Sequence, residues 1–467
     1  MSALTIQDYL AALAGKRVAV LGIGVSNTPL IRLLLDAHIQ VTGCDVNPRE
    51  KFGGLIEELE ALGMEAKLGP DYLDGLDHDV IFRSPGIRPD VPALAACRAR
   101  GGLVTSEMEA FFEVCPCRII GVTGSDGKTT TTTIISELLK RAGYRVWVGG
   151  NIGRPLLSDA AQMSPADIAV LELSSFQLMT MRKSPQIAVI TNLSPNHLNW
   201  HLSMEEYVSA KEQIFLHQSP QDRTVLNYDN ELTRQAALRC PGKVTFFSRL
   251  NDLPDGVVLE DGVITEKSGD SRRAVLPVDG IRIPGVHNIE NYQAAAAAVS
   301  GLVPDDVIRS FAREFGGVEH RIELVRELDG VKYYNDSIAS SPTRTLAGLR
   351  SFRQKVILIA GGHDKGISYA HMGPELIEHC RFMILTGGDV LGSTVPKLCA
   401  AVVSQPGYEE KDLPILFIDD FRDAVLKARE IARPGDIVLM SPASTSFDKF
   451  RNFMERGNYF KSIVSSL

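Results

Sequence analysis

The sequence predicts an α/β protein built from three units in tandem. Three observations carry this. The 467 residues are enough for about three domains. Short apolar runs alternate with stretches whose apolar residues recur at helical spacing, the pattern of parallel strands joined by crossover helices. Glycine-rich or polar turns follow the carboxyl ends of those runs, where open α/β sheets place their ligands.

Residues 1–115 form the first unit. Lys16–Leu21 reads as a strand, followed by Gly22-Ile23-Gly24-Val25-Ser26-Asn27. This turn begins like the dinucleotide fingerprint G-x-G-x-x-G, but its third position is Asn27. A second strand, Gln40–Cys44, is followed by Asp45, an acidic residue at about the distance the fingerprint expects. The unit therefore reads as Rossmann-like, with a phosphate- or ribose-bearing ligand near Gly22–Ser26 and Asp45, and a nicotinamide site stays open. A third strand, Asp79–Arg83, ends in Ser84-Pro85-Gly86-Ile87, which taken alone is a simple turn.

Residues 116–317 form the second unit. Arg118–Val122 carries a buried-strand run, and Thr123-Gly124-Ser125-Asp126-Gly127-Lys128-Thr129-Thr130-Thr131 follows it. Glycines leave room for backbone N–H groups to close around an anion, and a helix starting there adds its positive dipole end. Ile134, Ile135, Leu138 and Leu139 supply that helix, and Gly143 a stop. Lys128 offers a full charge and Thr129 a hydroxyl for a Mg²⁺ ion. The run fits only the second half of G-x-x-x-x-G-K-[ST], because Val122 stands where the first glycine is required. The competing reading is a glycine-rich surface turn.

The next strand ends near Trp147-Val148 and leads to Gly149-Gly150-Asn151. Asp167–Glu172 is another strand, with Ser174 just beyond it; Glu172 is either a Mg²⁺ partner at a strand's end or a helix cap. Gln186–Thr191 leads to His197 and His201, whose spacing lacks the glutamate of a zinc H-E-x-x-H motif. His197 reads better as a site residue beside phosphates. Ser203 to Glu206 is an S-x-x-E capping box opening a helix that carries Lys211, which reads by itself as a solvated residue pairing with a glutamate. Ala294–Ala298 predicts a closely packed helix. Asn288 and Asn291 share one of its faces and either read a base edge or cap the helix.

Residues 318–467 form a third α/β unit, Rossmann-like, with strands Val331–Tyr334, Val356–Ala360, Phe382–Leu385, Ile415–Ile418 and Ile437–Met440. Three end in polar loops that hold Asp336, Lys365 and Ser446, which together favour a second ligand face.

Composition narrows the function classes. Net charge is −8 and no block of Lys or Arg occurs, which argues against nucleic acid or an acidic membrane as partner. No apolar run is long enough to span a bilayer, and no signal peptide is evident. Seven scattered cysteines, with only Cys115 and Cys117 close, fit a reducing cytoplasm. A nicotinamide oxidoreductase built on Gly22–Asp45 and a nucleotide-switch protein remain as other classes, although no N-K-x-D base-reading motif is present.

Taken together, Thr123–Thr129, Glu172, His197, the H-N-x-x-N of His287–Asn291, His320-Arg321, Asn335-Asp336-Ser337 and the Gly-Gly-x-x-Lys of Gly361–Lys365 resemble the Mur ligase family along essentially the whole chain. Glu172–Leu178 and the Ser-Pro-Ala-x-x-Ser-Phe-Asp-x-Phe run from Ser441 look like the branch that adds D-glutamate. The resemblance implies a cytoplasmic, ATP-dependent ligase of peptidoglycan precursor synthesis that joins D-glutamate to UDP-N-acetylmuramoyl-L-alanine, acting as a monomer on small molecules.

It also implies residue roles. Gly24, Val25, Ser26, Asp45, Ser84, Pro85 and Gly86 would hold the UDP part, with Asn151 and Ser174 on the rest of that substrate. Gly124 to Thr131 would cradle ATP, with Lys128 on its phosphates, Asn288 and Asn291 on adenine, and Arg321 and Asp336 reaching the nucleotide. Thr129 and Glu172 would serve one Mg²⁺, and His197 a second. Lys211 matches a lysine carbamylated by CO₂, since a carbamate offers the oxygen ligands Mg²⁺ prefers where an ammonium would repel it. Lys365, Ser446, Phe447 and Phe453 would hold D-glutamate. Lys128, His197 and Lys211 are the expected catalytic residues. Two positions depart from the family: Ile338 replaces a lysine, and Asp126 an asparagine.

Overall fold

Three sheets carry the fold, and their switch points fix where ligands can sit. The computed structural model describes residues 4–198, 200–364, 366–387, 392–446 and 449–467. The chain divides into two units, Met1–Val278 with Ile289–Arg309, and Asp279–Asn288 with Ser310–Leu467. The first holds two sheets and the second holds one.

The first sheet comprises β1 (Arg17–Leu21), β2 (Gln40–Asp45), β3 (Glu65–Leu68), β4 (Val80–Arg83) and β5 (Leu103–Thr105), in the order β3-β2-β1-β4-β5. All its pairings are parallel. Strand order reverses between β1 and β4, so the turns after Leu21 and Arg83 open on the same crevice. Val18, Val20 and Phe82 are buried, as strands covered on both faces require. The strands β3 and β5 were not legible beforehand: β3 is only partly buried and β5 spans three residues at an edge.

The second sheet comprises β6 (Arg118–Thr123), β7 (Val146–Gly150), β8 (Ile168–Glu172), β9 (Ile187–Ile190), β10 (Arg223–Asn227), β11 (Lys243–Ser248), β12 (Asp255–Glu260), β13 (Val263–Ser268) and β14 (Ser271–Pro277). The order is β14-β13-β12-β11-β10-β9-β6-β8-β7. The parallel core runs from β7 to β12, but β12–β13 and β13–β14 are antiparallel. The sheet is thus dominated by parallel pairs, as expected, with two antiparallel hairpins added at one edge. Val263–Ser268 opens with Val and Ile but continues Thr-Glu-Lys-Ser, so this strand lacks the continuous apolar run of one buried on both faces. Strand β6 lies between β8 and β9, which gathers the ends of all three at one place. The helix Lys128–Arg141 buries Ile134, Ile135, Leu138 and Leu139 behind it. Each such side chain contributes about 1.5–3 kcal/mol. The helix Val286–Val299 has all of Ala294–Ala298 buried, as its composition predicts.

The second unit's sheet comprises β15 (Glu323–Leu328), β16 (Val331–Asn335), β17 (Val356–Ala360), β18 (Cys380–Leu385), β19 (Ile415–Phe417) and β20 (Ile437–Met440). Its order is β15-β16-β20-β17-β18-β19, parallel except for the β15–β16 hairpin. The loops after β16, β17 and β20 leave neighbouring strands at one sheet edge.

Candidate active site

The site of the first unit is built where β6, β8 and β9 end. Strand β6 delivers the backbone to Gly124, at φ +146°, and the helix starts after Gly127, at φ +79°. A Cβ on Gly124 would fall 1.9 Å from Thr191 Oγ1, and one on Gly127 would fall 2.4 Å from Asn291 Oδ1. Only glycine fits either place. The loop is pinned from β9: Ser125 N donates to Asn192 O (2.9 Å), Asp126 N to Asn192 Oδ1 (3.0 Å), and Thr191 Oγ1 to Asp126 O (2.5 Å). Asp126 is exposed, and it is its backbone that ties it to the loop.

Two lysines meet at this loop. Lys128 Nζ folds back onto Gly124 O (2.8 Å) and Ser125 O (2.9 Å). Lys211 Nζ, from the helix Met204–Leu216, donates to the same Gly124 O (2.8 Å) and to Thr123 Oγ1 (3.1 Å). Lys211 is only 2% exposed and lies 4.9 Å from the Tyr207 ring centre. The reading of Lys211 as a solvated helix residue is therefore overturned. Burial, then the charge of Lys128, pushes the Lys211 amine well below the ordinary lysine range.

Glu172, at the end of β8, is 1% exposed. Its Oε1 accepts from Asn151 Nδ2 (2.7 Å), whereas its buried Oε2 has no partner. A buried carboxylate oxygen left unmatched is costly unless something binds it. No group of three or more His, Cys, Asp or Glu able to hold a metal occurs among the described residues. One carboxylate and a hydroxyl nonetheless suit Mg²⁺, which keeps water and phosphate oxygens as its other ligands. The donors present thus fit that ion.

The other predicted residues of this unit fall into groups. Thr129 is half-buried at the helix start. Thr131 is a correction: it is fully buried, and its hydroxyl donates to Asn291 Oδ1 (3.2 Å), so it orients Asn291 instead of facing a nucleotide. Thr130 is largely buried beside it. His197 is exposed at φ +54°, its ring 5.0 Å from that of Phe176. Ser174 caps the short helix Ser175–Leu178 in a reciprocal box with Gln177. Gly24, Val25 and Ser26 are exposed after β1. Asp45 accepts from Ile23 N (2.7 Å) and from Asn47 N and Nδ2 (each 2.9 Å). Its carboxylate shapes the β1 turn, which weakens a dinucleotide reading that needs it on a ribose. Asn27, which breaks the fingerprint, donates to Leu21 O and Gly22 O (3.0 Å each). Ser84 N donates to Leu21 O (3.0 Å), which sets the Ser84–Gly86 turn beside β1.

Several organising residues escaped the sequence reading. His201 is buried, stacked on Phe176 (5.5 Å), with Nε2 2.9 Å from Ser175 Oγ and Nδ1 3.3 Å from Glu206. Arg88 grips Glu206 (2.9 and 3.1 Å), donates to Trp200 O (2.8 Å), and lies over the Trp200 ring. Arg83, 1% exposed, donates to Ile87 O (2.6 Å), Phe176 O (3.2 Å) and Thr180 Oγ1 (3.1 Å), joining the two sheets of this unit. The expected capping box at Ser203 is half present. Its hydroxyl accepts from Glu206 N (3.2 Å), but the Glu206 carboxylate serves Leu202 N (2.8 Å) and Arg88, a stronger charged partner.

In the second unit, Asp336 is buried at the end of β16, accepting from Ser441 Oγ (2.7 Å) and Ile322 N (3.3 Å). Burial pushes its carboxyl up to about 7. The neighbouring Arg321 has a buried, unmatched Nε. Asn288 donates to Pro284 O (2.5 Å). Ser446 is buried, its carbonyl accepting from Phe450 N (2.8 Å), and the Phe453 carbonyl accepts from Ser337 Oγ (2.7 Å). Arg456, also missed, is buried with Nη2 on Ser337 O (2.9 Å) and Nε on Ser337 Oγ (3.0 Å). Lys365 and Phe447 lie outside the described residues.

Comparison with known proteins agrees with this geometry. Residues 122–299 match the Mur ligase middle domain, and residues 320–444 the glutamate ligase domain of Mur ligases. The chain is 50% identical over 465 residues to the UDP-N-acetylmuramoylalanine–D-glutamate ligase of Acetivibrio thermocellus, covering 99% of both chains. It is 48% identical over 465 residues to the same-named protein of Ruminiclostridium cellulolyticum, again covering 99% of both. Among solved structures, the UDP-N-acetylmuramate-alanine ligase MurC of Thermotoga maritima shares the fold with a TM-score of 0.57 at 18% identity, over 97% of this chain and 99% of that one. The chain belongs to the Mur ligase family.

Proposed function

We propose that the chain is an ATP-dependent ligase that joins D-glutamate to UDP-N-acetylmuramoyl-L-alanine in cytoplasmic peptidoglycan precursor synthesis. One observation supports the chemistry above others: the glycine loop after β6 brings Lys128, Lys211 and the unmatched oxygen of Glu172 together. The choice of substrates rests on the full-length likeness to D-glutamate ligases. No helix of the described residues is long and apolar enough to cross a membrane.

A carboxylate resists attack because its charge repels a nucleophile. The reaction therefore transfers the γ-phosphoryl of ATP to the alanyl carboxylate, which gives an acyl phosphate with a good leaving group. The amine of D-glutamate attacks it, and the tetrahedral species collapses to amide and phosphate. In this reading the loop N–H groups and the helix N-terminus at Lys128 cradle the phosphates. Lys128 leaves its resting place on the Gly124 and Ser125 carbonyls to follow the transferring charge. Thr129 and Glu172 would hold one Mg²⁺, and His197 and a carbamylated Lys211 a second; such ions would supply charge neutralisation for the phosphoryl group.

Lys211 suits carbamylation. Burial pushes its amine well below the ordinary lysine range, toward the unprotonated form that attacks CO₂, and nearby Lys128 favours the resulting anion. We assign Gly24 to Ser26, Asp45, Ser84 to Gly86, Asn151 and Ser174 to the UDP substrate. Asn288, Asn291, Arg321 and Asp336 go to the nucleotide, and Lys365, Ser446, Phe447 and Phe453 to D-glutamate. The boundaries 1–115, 116–317 and 318–467 divide these tasks, and we take the chain to act as a monomer.

The test is phosphate release with UDP-N-acetylmuramoyl-L-alanine and ATP against a panel of amino acids. D-glutamate should support turnover; preference for meso-diaminopimelate or L-lysine would move the chain to another branch of the family.

A further inference from the structure

Cys115 and Cys117 bracket Pro116 in the segment between the helix Glu107–Val114 and β6. Their sulfurs are 3.5 Å apart, and Cys115 Sγ also lies 3.7 Å from Cys117 O. Cys115 is half-buried and Cys117 buried, so Cys115 is the more accessible of the two. All seven cysteines are free thiols. The pair sits at the amino end of β6, with the six residues of that strand between it and the glycine loop. Neither thiol belongs to the machinery assigned above.

We propose that Cys115 and Cys117 form a dithiol site for low-molecular-weight disulfides, closing reversibly into an intramolecular disulfide. The sulfurs are already in contact and share one short, proline-stiffened segment, so closure needs side-chain rotation and no long loop search. Cys115, the less buried of the two, attacks as its thiolate one sulfur of the incoming disulfide, and a Cys115 mixed disulfide forms as one small thiolate leaves. Cys117 then attacks Cys115 Sγ, forming the Cys115–Cys117 bond and expelling the second thiolate. The two cysteines are oxidised by two electrons, the disulfide is reduced to two thiols, and the two cysteine protons end on those thiols.

The experiment uses the full chain, incubated with oxidised glutathione, acid-quenched, and analysed by thiol titration under denaturing conditions and by peptide mass. The thiol titre should fall from seven to five, and the peptide holding both cysteines should lose two hydrogens without gaining glutathione. Dithiothreitol should restore seven. Cys117→Ser should stop at a stable glutathione adduct on Cys115, and Cys115→Ser should take up none. A titre that stays at seven in the parent chain, a stable adduct without ring closure, or an adduct on Cys117 in the Cys115→Ser variant would each overturn the proposal.

Discussion

Lys128 and Lys211 share one carbonyl, Gly124 O, yet their environments give them different chemistry. Lys128 is partly open, whereas Lys211 is buried and its amine is pushed well below the ordinary lysine range. Lys128→Ala should lower ATP-dependent phosphate release by at least about 100-fold, the scale of losing one preorganised charge stabiliser. Near-normal turnover in that variant would remove the centre of the functional reading. Lys211 should carry a carbamate when equilibrated with ¹³C-labelled bicarbonate, seen as a carbon resonance absent from Lys211→Ala. The resemblance alone pointed to this modification. Sequence spacing could not, because a lysine on an amphipathic helix carries no mark of the pocket into which folding turns it.

At the scale of elements, caps and glycines hold the site's edges. Ser174 and Gln177 cap the helix that starts three residues past Glu172. Ser174→Ala should cost about 1 kcal/mol, read as a lowered denaturation midpoint. Gly127→Ala should be worse, because its φ is left-handed and its methyl would meet Asn291 Oδ1. It should destabilise by about 1–3 kcal/mol and weaken ATP binding in a titration of the folded variant; unchanged affinity would argue that the loop does not hold phosphates. Strands β6, β8, β9, β17 and β20 were legible because each carries a short apolar run, and β16 because its apolar residues are interrupted only by the exposed Lys332. The hairpins β12 to β14 and the edge strands β3 and β5 were not, since half-exposed strands mix polar and apolar residues.

At the scale of the whole molecule, buried carboxyls set how stability depends on pH. Burial raises Glu107 in the first unit from 4.5 to about 7, and Asp336 in the second from 3.8 to about 7. Each favours its protonated form in the fold. That contribution is full below the unfolded values and is lost as pH rises through about 7. Glu206 runs the other way. The Arg88 guanidinium holds it at about 2, so its contribution is present above 4.5 and lost as pH falls through about 2. Denaturation midpoints should therefore fall between about pH 5 and pH 8, and both Glu107→Gln and Asp336→Asn should flatten that fall. An unchanged slope in both variants would mean that other groups govern the decline.

Strand cores, the glycine loop, its lysine and the acidic end of β8 were determined by sequence, because strand periodicity and turn chemistry are local properties. Tertiary structure alone decided which side chains share the loop. Lys211 arrives from 87 residues away to share Gly124 O, Thr131 turns to Asn291 across 160 residues, and Asn151 takes one oxygen of Glu172 and leaves the other unmatched. Such meetings depend on strand order, which placed β6 between β8 and β9, and on burial, which lowered the proton affinity of the Lys211 amine. Both arise only when distant segments pack, so neither is written in the spacing of residues along the chain.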